Sequence, residues 1–389
     1  DEPALYPAPA MSTVTTGTYA AFGGLSLMAL ISVHMGSRKA ATPLSQSRAE
    51  NVETIDKEAA SKLFAFSTVM LVGLFAMIKY LPKEYLSIGM KVYFGGVTLI
   101  TGSAMLEDIL LMGADIHTHT VAKDKKEGEE DKAPVPFLQR LVLGVHTKWF
   151  SLDLYMARLI GGLITVPVLA LFYLTNNWML GNLMSMALCV FSIDTVRADK
   201  LIVAVGFLWA YFVYDIVFVY FTPIMVSVAK GIDLPIKLLC PKTLAGLLMH
   251  SPPNAAMLGL GDIVLPGVLL SYLKRMDTEV KKETEARTEG ETESEGETEV
   301  KAAAPLPALY PIAFKAYTLA LVSAITVLLV SGHAVPVLMT IVPYMSIALL
   351  YKGWRAGCLR QMLSHSFKTE ETEAEAEAEA TQVETKKDQ

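Results

Sequence analysis

The sequence predicts an all-α polytopic membrane protein with nine transmembrane helices. Three observations lead there. Of its 389 residues, 52% are hydrophobic and 19% charged, and mean hydropathy is +0.41. The apolar residues gather in uninterrupted runs, where a soluble domain would spread them along amphipathic elements. Those runs approach the length of about 20 residues that carries a helix across a bilayer, and the charges collect between them.

In chain order the spans are expected near 18–37, 63–81, 86–112, 154–173, 177–195, 201–221, 254–273, 308–331 and 334–353. The first follows an acidic leader, D-E-P-A-L-Y-P-A-P-A, where a signal peptide has a positive start, so it is not a conventional signal peptide. The sequence opens on Asp1 rather than Met, which leaves the true N-terminus open. The fifth is interrupted or flanked by Asn177, Asn182 and Asp194. Residues 1–200 thus form an N-terminal five-span region and 201–353 a second region holding spans six to nine. Within the latter, the loop 276–304 is acidic, and so is the tail 354–389. Runs of like charge repel themselves and lack core formers, so both are expected to be disordered and solvated.

Lysine and arginine set the orientation. With the N-terminus lumenal, the cytosolic loops hold Arg38, Lys39, Lys123, Lys125, Lys126, Arg197, Lys200, Lys274, Arg275, Lys352 and Arg355. The opposite face has T-N-N and S-G-H turns and a loop with Lys230, Lys237 and Lys242. An odd number of spans then puts the C-terminus in the cytosol. There the sequence ends K-K-D-Q, and Lys386 and Lys387 resemble a dilysine signal returning the protein to the endoplasmic reticulum membrane, an address that anchors nothing.

Other function classes find little support. Nothing suggests nucleic-acid binding. Cys189, Cys240 and Cys358 form no even framework and no C-x-x-C, and His117 and His119 have no cysteine nearby, so neither a disulfide set nor a metal site is expected. No N-x-S/T acceptor occurs to report topology.

Two acids interrupt apolar spans: Asp215 in F-L-W-A-Y-F-V-Y-D-I-V-F and Asp262 in M-L-G-L-G-D-I-V-L-P-G. An ionised Asp at the bilayer centre costs about 2.5–3.5 kcal/mol on insertion scales, so such residues hold a packing contact, an ion path or catalysis. At about 1.5 Å per helical residue, Asp215 falls roughly 9 Å and Asp262 roughly 12 Å from the same lumenal boundary. Consecutive antiparallel helices pack together, which lets the two acids face each other at matched depth. Such a pair shares a proton and can activate water against a peptide carbonyl, one acid as base and the other as acid. Gly259 and Gly261, each costing about 1 kcal/mol inside a helix, either admit close helix packing or give another backbone access to the acid. Pro266 and Gly267 add a point where the helix can bend.

At this point the residues resemble a known family. Tyr214–Asp215 and G-L-G-D at Gly259–Asp262 look like the paired motifs of GxGD intramembrane aspartyl proteases, within the presenilin-like superfamily. The likeness is nearer to signal peptide peptidases than to presenilin. It is carried by V-A-K at Val228–Lys230, P-I-K-L at Pro235–Leu238, A-M-L-G-L-G-D-I-V-L-P-G at Ala256–Gly267, and the lumenal N-terminus. The resemblance implies a nine-span fold with Asp215 and Asp262 as the catalytic pair, Tyr214 orienting the first and Gly259 and Gly261 giving backbone access. It also implies a third motif, Pro-Ala-Leu, opening the last span. Here Pro336 and Leu338 match and would shape the cleft, but Val337 stands where the family has alanine. Two extra methyls on a stiff χ1 are expected to crowd the site if they face it.

The implied activity is hydrolysis within transmembrane helices such as signal peptide remnants and type II anchors. No cofactor is needed, because the acids activate water themselves. The rivals are an inactive homologue that binds membrane helices, suggested by Val337, and a proton-coupled transporter, for which repeated halves are missing. The oligomeric state stays open, a homo-oligomer included.

Overall fold

The computed structural model describes residues 16–42, 53–80, 83–113, 147–149, 152–154, 156–220, 237–249, 252, 255–291, 307–331, 336–365 and 367. Among them are nine helices of 18 residues or more: α1 (Thr16–Ala40), α2 (Lys57–Tyr80), α3 (Lys83–Gly113), α4 (Met156–Thr175), α5 (Trp178–Thr195), α6 (Leu201–Tyr220), α7 (Gly261–Glu291), α8 (Tyr310–Ser331) and α9 (Leu338–Arg355). A short α10 (Leu359–Ser364) follows. One long helix lies at each expected window. Among the described residues, four segments are long and apolar enough to cross a membrane by length and composition: Thr16–Ala40, Trp178–Thr195, Leu201–Phe218 and Tyr310–Val330.

The strands are three-residue pieces except for one ribbon. Strand β1 (Glu53–Ile55) runs parallel to β4 (Val196–Ala198), and β2 (Thr147–Trp149) pairs with β3 (Leu152–Leu154). The ribbon is β5 (Lys237–Pro241) antiparallel to β6 (Ala255–Gly259), with Leu239 opposite Met257.

The core lies where α1, α5 and α7 meet. Ala21, Leu25, Ala29 and Val33 recur at four-residue spacing on the buried face of α1. Ile193 of α5 fills the space left by two missing side chains. A Cβ on Gly36 of α1 would come within 2.9 Å of Ile193, and one on Gly267 of α7 within 2.5 Å. Gly267 is therefore a packing glycine: its place against Ile193 holds the helix that it was expected to let bend. The polar residues of α5 also have structural employment. Asn177 caps the helix by accepting from the Met179 amide, and buried Asp194 pairs with Lys39 at 3.4 Å and Arg197 at 3.3 Å.

Two expectations of disorder are corrected. The acidic segment from 276 begins as helix, because α7 continues to Glu291. Glu, Lys, Ala and Arg are good helix formers, and Lys281 pairs with Glu285 one turn on. Asp277 accepts from the amides of Leu309 and Tyr310 at 2.9 Å each, tying the start of α8 to α7. Burial raises the Asp277 carboxyl above its ordinary range, against the pull of those two amides and Lys274. The tail is likewise ordered past 354: the Tyr272 hydroxyl meets His365 Nδ1 at 3.0 Å, and the Arg275 guanidinium lies 4.3 Å from the centre of the Phe367 ring. Burial, and then the charge of Arg197, pull the Arg275 guanidinium down to about 10, which leaves it charged at neutral pH. Residues 292–306 and most of the acidic tail, Lys386 and Lys387 included, lie outside the described residues.

Candidate active site

Asp215 sits five residues from the end of α6, about 7.5 Å along its axis. Its carboxyl points inward, and the residue is 8% exposed. Asp262 is the second residue of α7 and half-buried. Helices α6 and α7 pack against each other, and the two carboxyls lie close enough to interact electrostatically.

The way the chain reaches Asp262 differs from expectation. A helix was expected from 254, with Gly259 and Gly261 in its interior. Instead Ala255–Gly259 is strand β6, Leu260 turns the chain, and the helix starts at Gly261. The Leu260 carbonyl accepts from the amides of Ile263 and Val264, opening the first turn. The run A-A-M-L-G-L-G is apolar in every register, and an extended partner 18 residues upstream decides between strand and helix. The depth of Asp262 counted by helical rise from 254 falls with this correction. At the N-terminus of α7 the acid also sits where the helix dipole favours negative charge.

The glycines leave the acid uncovered. A Cβ on Gly259 would lie 3.5 Å from Asp262 Oδ2, an ordinary contact that would cover one face of the carboxyl. Gly261 has open space about its Cα. Both are exposed and keep the approach to Asp262 clear, and neither carries the cost of a helix-interior glycine.

Pro266 has a consequence the sequence reading missed. A proline has no N–H, so it cannot bond the carbonyl four residues back, which belongs to Asp262. Tyr317 of α8, fully buried, donates its hydroxyl to that carbonyl at 3.4 Å. One turn of backbone beside the acid is thus held by a side chain from another helix.

Tyr214 is fixed by aromatic packing, with ring centres 5.7 Å from Phe64, 5.7 Å from Tyr211 and 4.4 Å from Phe218. Pro336 is buried, and Leu338 belongs to the same hydrophobic cluster as Leu258 and Ile263, the residues on either side of the G-L-G-D turn. Val337 packs on that cluster and lines a cavity of about 60 Å³ with Phe22, Leu25, Met257, Leu258 and Leu321. The structure thus gathers the third motif against β6 rather than leaving it remote.

The acids divide by their partners. Asp194 has two cations, and Asp277 has two amides. Among the described residues, no hydrogen bond or ion pair reaches the carboxyl of Asp215 or of Asp262. Nor do the described residues include a cluster of His, Cys, Asp and Glu that could hold a metal ion.

Comparison with known proteins places the chain in a family. The family model for signal peptide peptidases matches residues 47–369. The chain is 26% identical to signal peptide peptidase of Mus musculus and 25% identical to that of Homo sapiens, each over 272 residues covering 68% of both chains. It is 26% identical over 253 residues to a probable intramembrane protease of Schizosaccharomyces pombe, covering 65% of this chain and 68% of the other. No solved structure shows a significant match. The chain belongs to the signal peptide peptidase family.

Proposed function

We propose that the chain is an intramembrane-cleaving aspartic endopeptidase that uses Asp215 and Asp262 to hydrolyse peptide bonds within transmembrane helices. The observation that carries this is the state of the two acids: near enough to interact electrostatically, one buried and one half-buried, and without a hydrogen-bond donor among the described residues. Buried carboxyls cost too much to keep unsatisfied for packing alone. Placed together, they share one proton and titrate as a unit.

The chemistry follows from that shared proton. The ionised carboxyl takes a proton from water as the water oxygen bonds to the scissile carbonyl carbon. The protonated carboxyl gives its proton to the carbonyl oxygen, producing a tetrahedral diol. Proton return from the diol and protonation of the nitrogen then break the C–N bond and release acid and amine. The amides of a substrate helix are locked within it, so the segment must unwind first. An extended segment can regain its hydrogen bonds by adding to the β5–β6 ribbon, which leads into Asp262.

Substrates of this kind are signal peptide remnants and type II membrane anchors, and the relatives' names support the first of these. The lysine and arginine distribution supports nine spans with a lumenal N-terminus, and Lys386 with Lys387 support residence in the endoplasmic reticulum. Detergent-solubilised protein incubated with a synthetic signal peptide tests the activity. Asp262→Asn and Asp215→Asn should each abolish cleavage while leaving thermal unfolding near wild type. Cleavage that survives either substitution would retire the dyad.

A further inference from the structure

We infer that Asn182 is a positioning residue for proteolysis: it closes the outer edge of β5, so that the outer edge of β6 is the one on which a substrate strand docks in register with Asp262. The inference rests on the protease reading above. Asn182 is a buried amide on α5. Its Nδ2 donates to the Leu239 carbonyl at 2.6 Å, and its Oδ1 accepts from the Leu239 amide at 2.8 Å. A contact to Met28 Sδ at 3.6 Å uses the remaining N–H. A primary amide carries its carbonyl and N–H side by side, as a strand peptide does, and here it takes the place of a third strand for one rung. Ser185, nearly one turn along α5, donates to the Lys237 carbonyl at 3.4 Å on the same edge.

These contacts fix the parity of the ribbon. A residue in an antiparallel pair sends both backbone polar groups to one side, and successive residues alternate. Leu239 and Lys237 face α5, so Leu238 and Cys240 face β6. In the observed register Leu239–Met257 and Lys237–Gly259 are then the non-hydrogen-bonded pairs, and Leu238–Leu258 and Cys240–Ala256 the bonded ones. Pro241, which has no N–H, falls on the non-bonded parity opposite Ala255. Met257 and Gly259 must therefore aim their N–H and C=O groups away from β5. Among the described residues no hydrogen bond reaches those outward groups. Gly259 lies three residues before Asp262, under its Oδ2.

A strand paired at Met257 and Gly259 is presented to the acid in a register that can slip only in steps of two residues if the same side chains are to face the same way. The register is as firm as the anchoring of β5, and Asn182 is that anchor.

The test uses full-length protein in detergent and a synthetic transmembrane peptide, with products mapped by mass spectrometry. Asn182→Leu keeps the volume and removes both bonds. It should raise KM about tenfold and add cuts two residues from the wild-type site. Asn182→Asp retains the acceptor for the Leu239 amide but opposes its carbonyl, and should fall between. A purely structural role would lower kcat through loss of folded enzyme, with KM and cut positions unchanged, and that result overturns the inference. Ser185→Ala removes one long hydrogen bond and keeps the test decisive where Asn182→Leu fails to fold. It should raise KM in the same direction but only about twofold, with minor cuts at two-residue spacing, and unaltered values overturn the role. Wild-type protein that cuts nothing would defeat the protease reading itself, whereas cutting by the wild type with an unaltered pattern in both variants defeats only the role of Asn182.

Discussion

Tyr317→Phe tests whether one turn of backbone beside Asp262 depends on a side chain from α8. The hydroxyl meets the Asp262 carbonyl at 3.4 Å, near the outer limit of a hydrogen bond. Its net contribution is at the low end of the usual range, but removing it strands a carbonyl that Pro266 cannot serve. Together these set the loss at about 1 kcal/mol, roughly fivefold in an equilibrium. Pro266→Ala restores an N–H at the position that normally bonds that carbonyl. In the Pro266→Ala background, Tyr317→Phe should therefore cost almost nothing, giving a coupling of about 1 kcal/mol between the two sites. Thermal unfolding and initial cleavage rates of the four proteins measure it. Equal losses from Tyr317→Phe on both backgrounds would mean that the proline does not free the carbonyl that the tyrosine holds, and the account of this turn would be wrong.

Val337→Ala enlarges the cavity against Met257 and Leu258, and should cost about 1–2 kcal/mol of stability while the cleavage rate holds or rises. A large drop in rate would mean the site has adapted to valine. Asp277→Ala removes the acceptor for two amides at the start of α8 and should cost about 2 kcal/mol, read as a lower unfolding temperature and faster hydrogen exchange at Leu309 and Tyr310. Replacing Lys386 and Lys387 with serine should move the protein out of the endoplasmic reticulum in fractionated cells; unchanged distribution removes the retrieval signal.

The helices were legible because a run of apolar residues long enough to span a bilayer has one common solution, and that signal is local. Each expected window holds a long helix among the described residues, and four of these helices are long and apolar enough to cross a membrane. The ribbon was not legible. Strand β6 reads as the start of a helix until Lys237–Pro241 pairs with it, and β5 in turn needs Asn182, 57 residues from Leu239. Asn182 was visible as a polar interruption of the fifth span. What it bonds was not, since a side-chain amide in an apolar helix has many candidate partners and only the fold selects one. The ordered start of the acidic loop was missed because charge was weighed above helix propensity. The ordered segment through Phe367 was missed because its partners, Tyr272 and Arg275, lie about 90 residues away.

The buried polar residues now separate the rival functions better than their mere presence did. A proton relay needs a succession of groups able to pass a proton onward, and the neighbours that approach Asp215 and Asp262 supply no such path among the described residues. Tyr214 is enclosed by Phe64, Tyr211 and Phe218, and Tyr317 spends its hydroxyl on a backbone carbonyl. The element that leads into Asp262 is a strand with outward backbone groups. Such an edge recognises an unwound peptide without regard to sequence, as a protease of varied membrane helices requires, and a relay has no use for it. An inactive binder would also use the edge, but it has no need of two neighbouring carboxyls that lack a hydrogen-bond donor among the described residues. Two carboxyls without a donor among the described residues, one of them at the end of an open strand edge, are the arrangement that the proposed hydrolysis uses.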